Sequence, residues 1–396
     1  MILSETAPSH AQVQAAARAT YVAFIGSGFA FASWASRIPQ VRDRLHLQPS
    51  ELGLVLLAIA AGSVIALPLS GPVLARLGSR RTVAAMSLVL MAGLVVAALG
   101  YLVGVLPVVA GLFLVGLGNG AWDVAMNVQG ARVEQRLGRS IMSRFHAGFS
   151  LGTVAGALIG AAMVASRVPV TAHLLGVAAV VGVAVPIAVR RFIADHDDVA
   201  GDEAGSTGSW AAWTEPRTLL IGLFVLAFAF AEGTGNDWIS VALIDGYHAP
   251  ATVGTLGFAV FLAAMTTGRW VGPGLLDRYG RVAVIRVISV LAVLGLVLFV
   301  FGPSTPVAFA GAVLWGAGTS LGFPVGMSAG ADDPSRAASR VSVIASVGYC
   351  AFLGGPPLIG FLGQQFTVLR ALTAVAALLA LAALITGNIR PLGDDA

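Results

Sequence analysis

The sequence is poor in charged residues, has a single cysteine and contains no lysine. Charged residues make up 11% of its 396 positions, whereas a soluble domain carries about 25%. So few charges cannot cover a water-facing surface for a chain of this size, and 57% of the residues are hydrophobic. The composition therefore excludes an ordinary soluble globule and predicts a protein that is surrounded by lipid.

Other scarce features exclude further classes. The lone Cys350 rules out a disulfide framework and a cysteine-based metal site. Glycine-rich runs precede no phosphate-binding lysine, and no catalytic triad pattern occurs, so we expect neither a cofactor nor an enzyme. The net charge is +4, but the arginines do not cluster with aromatics on a polar segment, so nucleic acid is not an expected partner.

Long apolar stretches are abundant. A helix needs roughly 20 apolar residues to cross the hydrocarbon core of a bilayer. The first stretch is longer than a signal-peptide core and is interpreted as a retained helix. Twelve spans are predicted, at 20–41, 51–75, 82–103, 107–132, 141–165, 170–190, 217–241, 251–276, 282–302, 306–328, 338–362 and 367–389.

The arginines give the orientation. With the N-terminus in the cytoplasm, 17 arginines fall in inside segments and 5 in outside segments, and Arg269 lies within the eighth span. Inside segments are enriched in basic residues. We therefore expect a multi-pass protein of the cell inner membrane with both termini cytoplasmic.

The chain is predicted to consist of two related halves. "ASWAS" around Trp34 matches "NDWIS" around Trp238, and "GPVLARLGSRR" matches "PGLLDRYGRV" with Gly78 aligned to Gly280. Parallel repeats of this kind place a substrate site near the bilayer midplane where the halves meet. The expected organisation is a cytoplasmic tail at 1–19, a six-helix bundle at 20–191, a cytoplasmic linker at 192–216, a second six-helix bundle at 217–390 and a tail at 391–396.

The fourth predicted span carries a polar stripe. Asn119, Asp123 and Asn127 recur every four residues, so they share one face of a helix over about 12 Å. A carboxylate at this depth costs several kcal/mol unless it faces a partner or water. The stripe therefore faces inward. The asparagines contact substrate or bond across helices as packing residues, and Asp123 is a candidate for substrate binding and proton coupling.

The seventh span contains a second polar group, "AEGTGNDW". Glu232 lies near half depth, and Asn236 follows one turn later on the same face. Two intervening glycines weaken the helix between them. Glu232 is the best candidate for a proton-coupling carboxylate, with Asn236 as a substrate contact. Asp237 either serves the site or caps the outer end of the span.

Arg269 lies eight residues before Asp277, about 12 Å deeper along the eighth span. At that depth it needs a carboxylate or backbone carbonyls, and Glu232 or Asp123 would serve. A snorkel toward the cytoplasm is the alternative. The repeat-related Trp34 and Trp238 either line the cavity or anchor at the interface, and Tyr349 is a further cavity candidate.

These features resemble the major facilitator superfamily of secondary transporters. "DRYGR", from Asp277 to Arg281, matches the superfamily's loop motif, whereas "ARLGSRR" keeps Arg76 and Gly78 but has alanine in place of the acid. The resemblance implies a gating role for Arg76, Gly78, Asp277, Arg278, Gly280 and Arg281, with a weaker N-terminal latch.

More narrowly, "ASWASRIP", "HAGFSLGTVAGA", "FAEGTGNDW" and "LWGAGTSLGFPV" resemble the YbjJ-type bacterial inner-membrane proteins. A distant similarity to proton-linked fucose permeases covers Asp123 and Asn127. The resemblance implies an all-α membrane protein of twelve transmembrane helices in two pseudo-symmetric six-helix bundles, the major facilitator fold.

The expected function is secondary transport of a small polar organic solute, sugar-like or carboxylated, by alternating access and with proton coupling. The expected partners are this solute, protons and the lipid bilayer, and the expected oligomeric state is a monomer. A proton-driven multidrug exporter is the alternative, and a non-transporting membrane sensor built on a transporter fold is a further one.

Overall fold

A computed structural model describes residues 9–138, 141–193, 209–333 and 336–391. Within these ranges every regular element is a helix, which confirms the all-α prediction. In the part of the chain that the structure describes, ten helices are long and apolar enough to cross a membrane. One of them, Pro49–Gly100, contains both the second and the third predicted span, and the twelfth predicted span falls on the shorter apolar stretch Val368–Leu384. Each predicted span thus lies on helix.

The first predicted span differs from the structure at both ends. The helix begins at His10, inside the predicted 1–19 tail, and it is interrupted before Ile38, inside the predicted 20–41 span. Arg37 and Pro39 lie at this interruption, where the proline ring occupies the first turn of the next helix. The helices up to residue 188 are α1 (His10–Ala35), α2 (Ile38–Arg44), α3 (Pro49–Gly100), α4 (Val105–Leu137), α5 (Met142–Ala165) and α6 (Val170–Ala188).

Most of the predicted linker at 192–216 lies outside the described residues, as do positions 1–8 and 392–396 of the predicted tails. The described end of the linker is partly helical, because the helix Ser209–Ala212 lies within it and the helix Pro216–Tyr247 begins at its last residue. From residue 209 onward the structure describes nine further α-helices. The tenth predicted span is divided into two helices, α11 and α12. These helices are α7 (Ser209–Ala212), α8 (Pro216–Tyr247), α9 (Ala251–Tyr279), α10 (Arg281–Phe301), α11 (Thr305–Thr319), α12 (Gly322–Gly330), α13 (Ala337–Gln365), α14 (Val368–Ala371) and α15 (Thr373–Leu384).

The described helices form two compact units. The first contains the described residues of Met1–Trp34, Ala58–Ile159 and Val168–Asp202. Within it α3 and α4 approach closely at small residues. A methyl group added at Gly116 would lie 1.9 Å from the carbonyl oxygen of Ile59. Only glycine permits this distance, as is usual where membrane helices pack by backbone contact.

The second unit contains the described residues of Ala35–Leu57, Gly160–Arg167 and Glu203–Ala396. Inside this unit, Arg42 of α2 forms an ion pair with Asp245 of α8. The start of α3 packs on α13, where a methyl group at Gly53 would lie 2.4 Å from the carbonyl oxygen of Pro356. These contacts explain why α2 and the beginning of α3 group with the later helices.

One glycine in each unit makes the same sharp turn. Gly78 has φ 73° and ψ 165° within α3, and Gly280 has φ 76° and ψ 158° between α9 and α10. This backbone region is essentially restricted to glycine. The two residues are aligned by the internal repeat, so each half reverses direction through one glycine and needs no longer loop.

Candidate functional site

Two charged side chains on the long helices α8 and α9 of the second unit form an ion pair. Glu232 occupies the middle of the 32-residue α8. Arg269 of α9 donates from Nη2 to both carboxylate oxygens of Glu232, each at 2.8 Å. The two side chains, of Arg269 and Glu232, are 27% and 19% exposed, so the pair is enclosed by protein yet remains reachable by a small polar species. Arg269 therefore pairs with Glu232, and its side chain need not extend toward the cytoplasm to find a partner.

Arg269 makes a second contact that sequence reasoning missed. Its Nε donates to the backbone carbonyl oxygen of Ser320 at 3.3 Å. Ser320 lies between α11 and α12, where the helical hydrogen-bond pattern of the tenth span is interrupted. A proline in "SLGFP" marks this position in the sequence, but by itself the run indicates only close packing and bending. Arg269 therefore connects the middle of α8 to a break in another span.

Polar side chains continue along α8 beyond Glu232. Asn236 is half-buried, and its Oδ1 is buried and accepts no hydrogen bond from the described residues. Asp237 follows it and is also half-buried. The ring of Trp238 is fully buried. An unsatisfied amide oxygen one turn from the ion pair is suited to accept a hydrogen bond from a solute or water.

The polar stripe of α4 belongs to the first unit. Asn119, Asp123 and Asn127 are all half-buried on one face. Ser27 of α1 donates to the amide oxygen of Asn119 at 3.0 Å, so Asn119 has the cross-helix bond expected of a packing residue. Asn127 donates from Nδ2 to the carbonyl oxygen of Asp123 at 2.8 Å and to its Oδ1 at 3.3 Å. The carboxylate of Asp123 therefore retains capacity to accept further hydrogen bonds.

The aromatic candidates differ in their surroundings. Trp34 is 2% exposed and lies inside the first unit. With Trp238 also buried, neither indole lies at a lipid interface as the anchoring alternative requires. Tyr349 of α13 is half-buried, with its ring 6.1 Å from that of Phe352. Tyr349 is thus the candidate aromatic residue with accessible surface.

The loop-motif residues have distinct partners. Arg281 forms an ion pair with Asp332 at 2.6 Å and also donates to Ser328 at 3.2 Å. Arg217 shares the same Asp332, at 3.2 Å. Asp277 is exposed and makes no ion pair among the residues that the structure describes. The partner of Arg281 is therefore an acid after α12 rather than the acid of its own motif.

The remaining motif residues are more exposed. Arg278 lies over the ring of Tyr279, 5.2 Å from the centroid, which is a cation–π contact at the end of α9. Arg76 of α3 is exposed. Gly78 and Gly280 form the two turns described above. The motif thus supplies two glycine turns and one well-paired arginine, Arg281.

A further charged group, the Glu215 cluster, consists of Glu215, Arg336 and Arg340. Glu215 accepts from Arg340 at 2.7 Å and from Arg336 at 2.6 Å. It also accepts from Thr218 at 2.8 Å in the first turn of α8. The hydrogen bond from Arg340 lowers the pKa of Glu215, and partial desolvation opposes this effect. The cluster fixes the start of α8 to the start of α13.

Comparison with known proteins agrees with this architecture. The family model of the Major Facilitator Superfamily matches residues 20–351. The chain belongs to the major facilitator superfamily. Major facilitators are secondary transporters rather than enzymes, so the chain is a multi-pass membrane transporter that acts on a small molecule within a lipid bilayer.

Similar proteins from other bacteria match nearly the whole chain. An uncharacterized transporter, y4wD, of Sinorhizobium fredii is 32% identical over 89% of this chain and 92% of its own length. An uncharacterized MFS-type transporter of Yersinia pestis is 30% identical over 91% of this chain and 92% of its own length. Membrane protein MosC of Rhizobium meliloti is 29% identical, with shares of 89% and 85%.

Solved structures show the same fold at low sequence identity. A mutant form of the nucleoside transporter NupG has a TM-score of 0.77 at 15% identity and covers 94% of this chain and 99% of its own. A bacterial homologue of the human lysosomal transporter Spinster has a TM-score of 0.74 at 13% identity, with shares of 96% and 97%. The major facilitator fold predicted from sequence is thereby confirmed.

Proposed function

We propose that this protein moves a small, neutral, hydroxyl-bearing solute by alternating access, in exchange or symport with protons. The observation that carries the proposal is the ion pair between Glu232 and Arg269 in the middle of the second unit's membrane helices. Candidate substrate contacts are Asn119, Asp123, Asn127, Trp34, Asn236, Trp238 and Tyr349, and the candidate coupling residues are Glu232, Asp123 and Arg269.

The ion pair supports proton coupling because its two charges depend on each other. A buried pair is tolerated only while both partners are present, and removing one charge leaves the other unpaired at a cost of several kcal/mol. Protonation of Glu232 would leave Arg269 in that condition, so proton binding favours a rearrangement. At 19% exposure the carboxylate is still accessible to protons.

The contacts that Arg269 already makes favour a neutral solute over a carboxylated one. Glu232 already balances the charge of Arg269 through Nη2, and Nε donates to Ser320, so a substrate carboxylate would have to compete with Glu232 for this cation. A polar atom nearby that lacks a hydrogen bond among the described residues is an acceptor, the buried Oδ1 of Asn236. Acceptors bind hydroxyl and amine donors, as on sugars and polyols. NupG, which shares the fold, is a nucleoside transporter, so nucleosides belong in the same screen.

The test begins with purified protein and thermal-shift screening of sugars, polyols, nucleosides, organic acids and drugs. A stabilising compound is then followed in proteoliposomes, both by accumulation under an imposed pH gradient and by exchange of labelled for unlabelled solute without a gradient. A preference for lipophilic drugs would favour the multidrug alternative, and binding without flux would favour the sensor.

The first prediction concerns Glu232→Gln. Because the amide cannot take up a proton, gradient-driven accumulation should fall to background while exchange without a gradient persists. Asp237→Asn, a matched change on the same helix, should retain gradient-driven accumulation. If Glu232→Gln still accumulates solute under the gradient, Glu232 is not the coupling residue, and the reverse pattern would assign that role to Asp237.

A further inference from the structure

The tenth predicted span is interrupted at Ser320 and Leu321. The cause of this interruption is the residue four positions after Ser320. In an α-helix the carbonyl of residue 320 accepts a hydrogen bond from the N–H of residue 324. Residue 324 is proline, which has no N–H. Flanking backbone bonds are present, with Ser320 donating to Ala317 at 3.4 Å and Val325 to Leu321 at 3.0 Å. The carbonyl of Ser320 is left without its helical donor.

Arg269 supplies the missing donor. Its Nε lies 3.3 Å from the carbonyl oxygen of Ser320, while its Nη2 binds the carboxylate of Glu232. One guanidinium thus joins the middle of α8 to a backbone carbonyl that lacks its helical amide donor. The planar guanidinium is suited to this task because its N–H groups point in fixed directions.

Close packing holds the break against both neighbouring helices. Methyl groups added at Gly268 and Gly272 of α9 would lie 2.4 Å from Ser320 Oγ and 2.4 Å from a methyl carbon of Leu321. On the other side, a methyl group at Gly322 would lie 2.0 Å from the ring of Phe228. Phe228 precedes Glu232 by one turn of α8, so the first residue of α12 lies directly beside the ion-pair region.

We propose that Arg269 couples the charge on Glu232 to the angle between α11 and α12. The ionised carboxylate holds the guanidinium in place, and the guanidinium holds the carbonyl of Ser320. When Glu232 is neutral, the charge-assisted bonds to Arg269 are lost, the guanidinium leaves the carbonyl, and α12 moves as a short rigid helix about Ser320 and Leu321. The inference rests on the proposed proton coupling and adds the element that responds.

Few other titratable groups lie on the helices packed against α8. Among the described residues, α11, α12 and α15 carry none, and α8 itself carries Asp237, Asp245 and Tyr247 besides Arg217 and Glu232. Arg269 is the residue that the structure places on the Glu232 carboxylate. The remaining titratable residues of the neighbouring helices are Arg42, Asp43 and Arg44 of α2, Asp277, Arg278 and Tyr279 of α9, Arg340, Tyr349 and Cys350 of α13, and Arg370 of α14.

The second prediction is tested by hydrogen–deuterium exchange of the full chain in lipid nanodiscs, which needs no known substrate. Glu232→Gln should speed amide exchange across residues 318–326 by roughly tenfold, as expected when one charge-assisted hydrogen bond is lost. Asp237→Asn, the matched control, should leave exchange in this segment unchanged.

Pro324→Ala restores the backbone donor to Ser320, so exchange in the segment should slow. In the double variant with Glu232→Gln the acceleration should disappear, because the carbonyl no longer depends on Arg269. Arg269→Lys provides a second route should Pro324→Ala not fold. Lysine can pair with Glu232 but lacks the planar donors needed to reach Ser320 as well, so exchange should be fast whether or not Glu232 is changed.

The hinge proposal would be overturned if Glu232→Gln left amide exchange in residues 318–326 unchanged. It would also be overturned if the full acceleration persisted in the double variant of Glu232→Gln and Pro324→Ala. The two proposals fail separately. If Glu232→Gln abolishes gradient-driven accumulation of solute but leaves amide exchange in residues 318–326 unchanged, proton coupling stands and the hinge does not. If Glu232→Gln speeds amide exchange in residues 318–326 while gradient-driven accumulation of solute persists, the hinge stands and Glu232 is not the coupling residue.

Discussion

At the scale of single residues, the sequence predicted which side chains need partners better than it predicted the partners. Arg269 lies too deep in its span to be solvated easily, so an acceptor was required, and Glu232 and Asp123 both remained possible from spacing alone. The choice of Glu232 depends on how α8 and α9 pack, which one-dimensional periodicity does not encode. The second acceptor, the Ser320 carbonyl, is a backbone atom and leaves no side-chain signature.

The third prediction concerns the Glu215 cluster. Because the hydrogen bond from Arg340 lowers the pKa of Glu215, the ionised pair stabilises the fold above the usual glutamate pKa of 4.5, and this stabilisation is lost as pH falls through the lowered value. Arg340→Gln should therefore reduce stability at neutral pH by about 1 kcal/mol. The difference from the unmodified protein should shrink toward pH 3.

Thermal unfolding in detergent between pH 3 and pH 8 checks this prediction. Arg80→Gln, which removes an exposed arginine from the first unit, serves as the control and should have little effect at any pH. A loss of stability in Arg340→Gln that is equally large at pH 3 and pH 8 would show that the ion pair with Glu215 is not its cause.

At the scale of elements, hydropathy located the helices, and the differences arise where single residues change the backbone. Hydropathy does not reveal that 51–75 and 82–103 meet at Gly78 with hardly a loop between them. Nor does it reveal the break in 306–328, because Pro324 changes one hydrogen bond and leaves the segment apolar. Repeat alignment identified Gly78 and Gly280 as equivalent, but their shared positive φ required coordinates.

The fourth prediction compares two glycines near the end of α9. Gly280 has φ +76° with nothing within 4 Å of an added Cβ, so the cost of Gly280→Ala is purely conformational. We expect a loss of about 1–3 kcal/mol in the free energy of unfolding. Gly274 is helical and equally uncrowded. Gly274→Ala should therefore stabilise the protein, by about 0.4–1 kcal/mol.

The opposite signs make this comparison decisive, because lipid, detergent and expression affect both variants alike. Denaturant or thermal unfolding of the two purified variants provides the measurement. If Gly280→Ala were as stable as Gly274→Ala, the turn at residue 280 could not be restricted to glycine.

At the scale of the whole molecule, composition and internal repetition were sufficient to predict a twelve-helix transporter, since too few charges exclude a soluble surface and aligned motifs imply duplicated halves. Residues 35–57 were not predicted to group with the second unit. That grouping depends on contacts such as the one between Gly53 and Pro356, which join positions about 300 apart in sequence and carry no local signal.

The fifth prediction concerns orientation. From the 17-to-5 distribution of arginines we expect the start of α1 to be cytoplasmic and the connection between α5 and α6 to face outside. In a Cys350→Ser background, Ser166→Cys should react with a membrane-impermeant maleimide in intact cells. Gln14→Cys should react only after the membrane is permeabilised. Both positions are exposed, so the opposite labelling pattern would invert the assigned topology.

The paired glycine turns also bear on how such a chain can change over time. Gly78 and Gly280 share a torsion although the residues around them differ, "ARLGSRR" against "DRYGRV". A descendant that places a side chain at either position cannot simply keep the same corner. Such a protein must lengthen the turn by one residue or more. The loss of one of these glycines and an insertion beside it should therefore occur together.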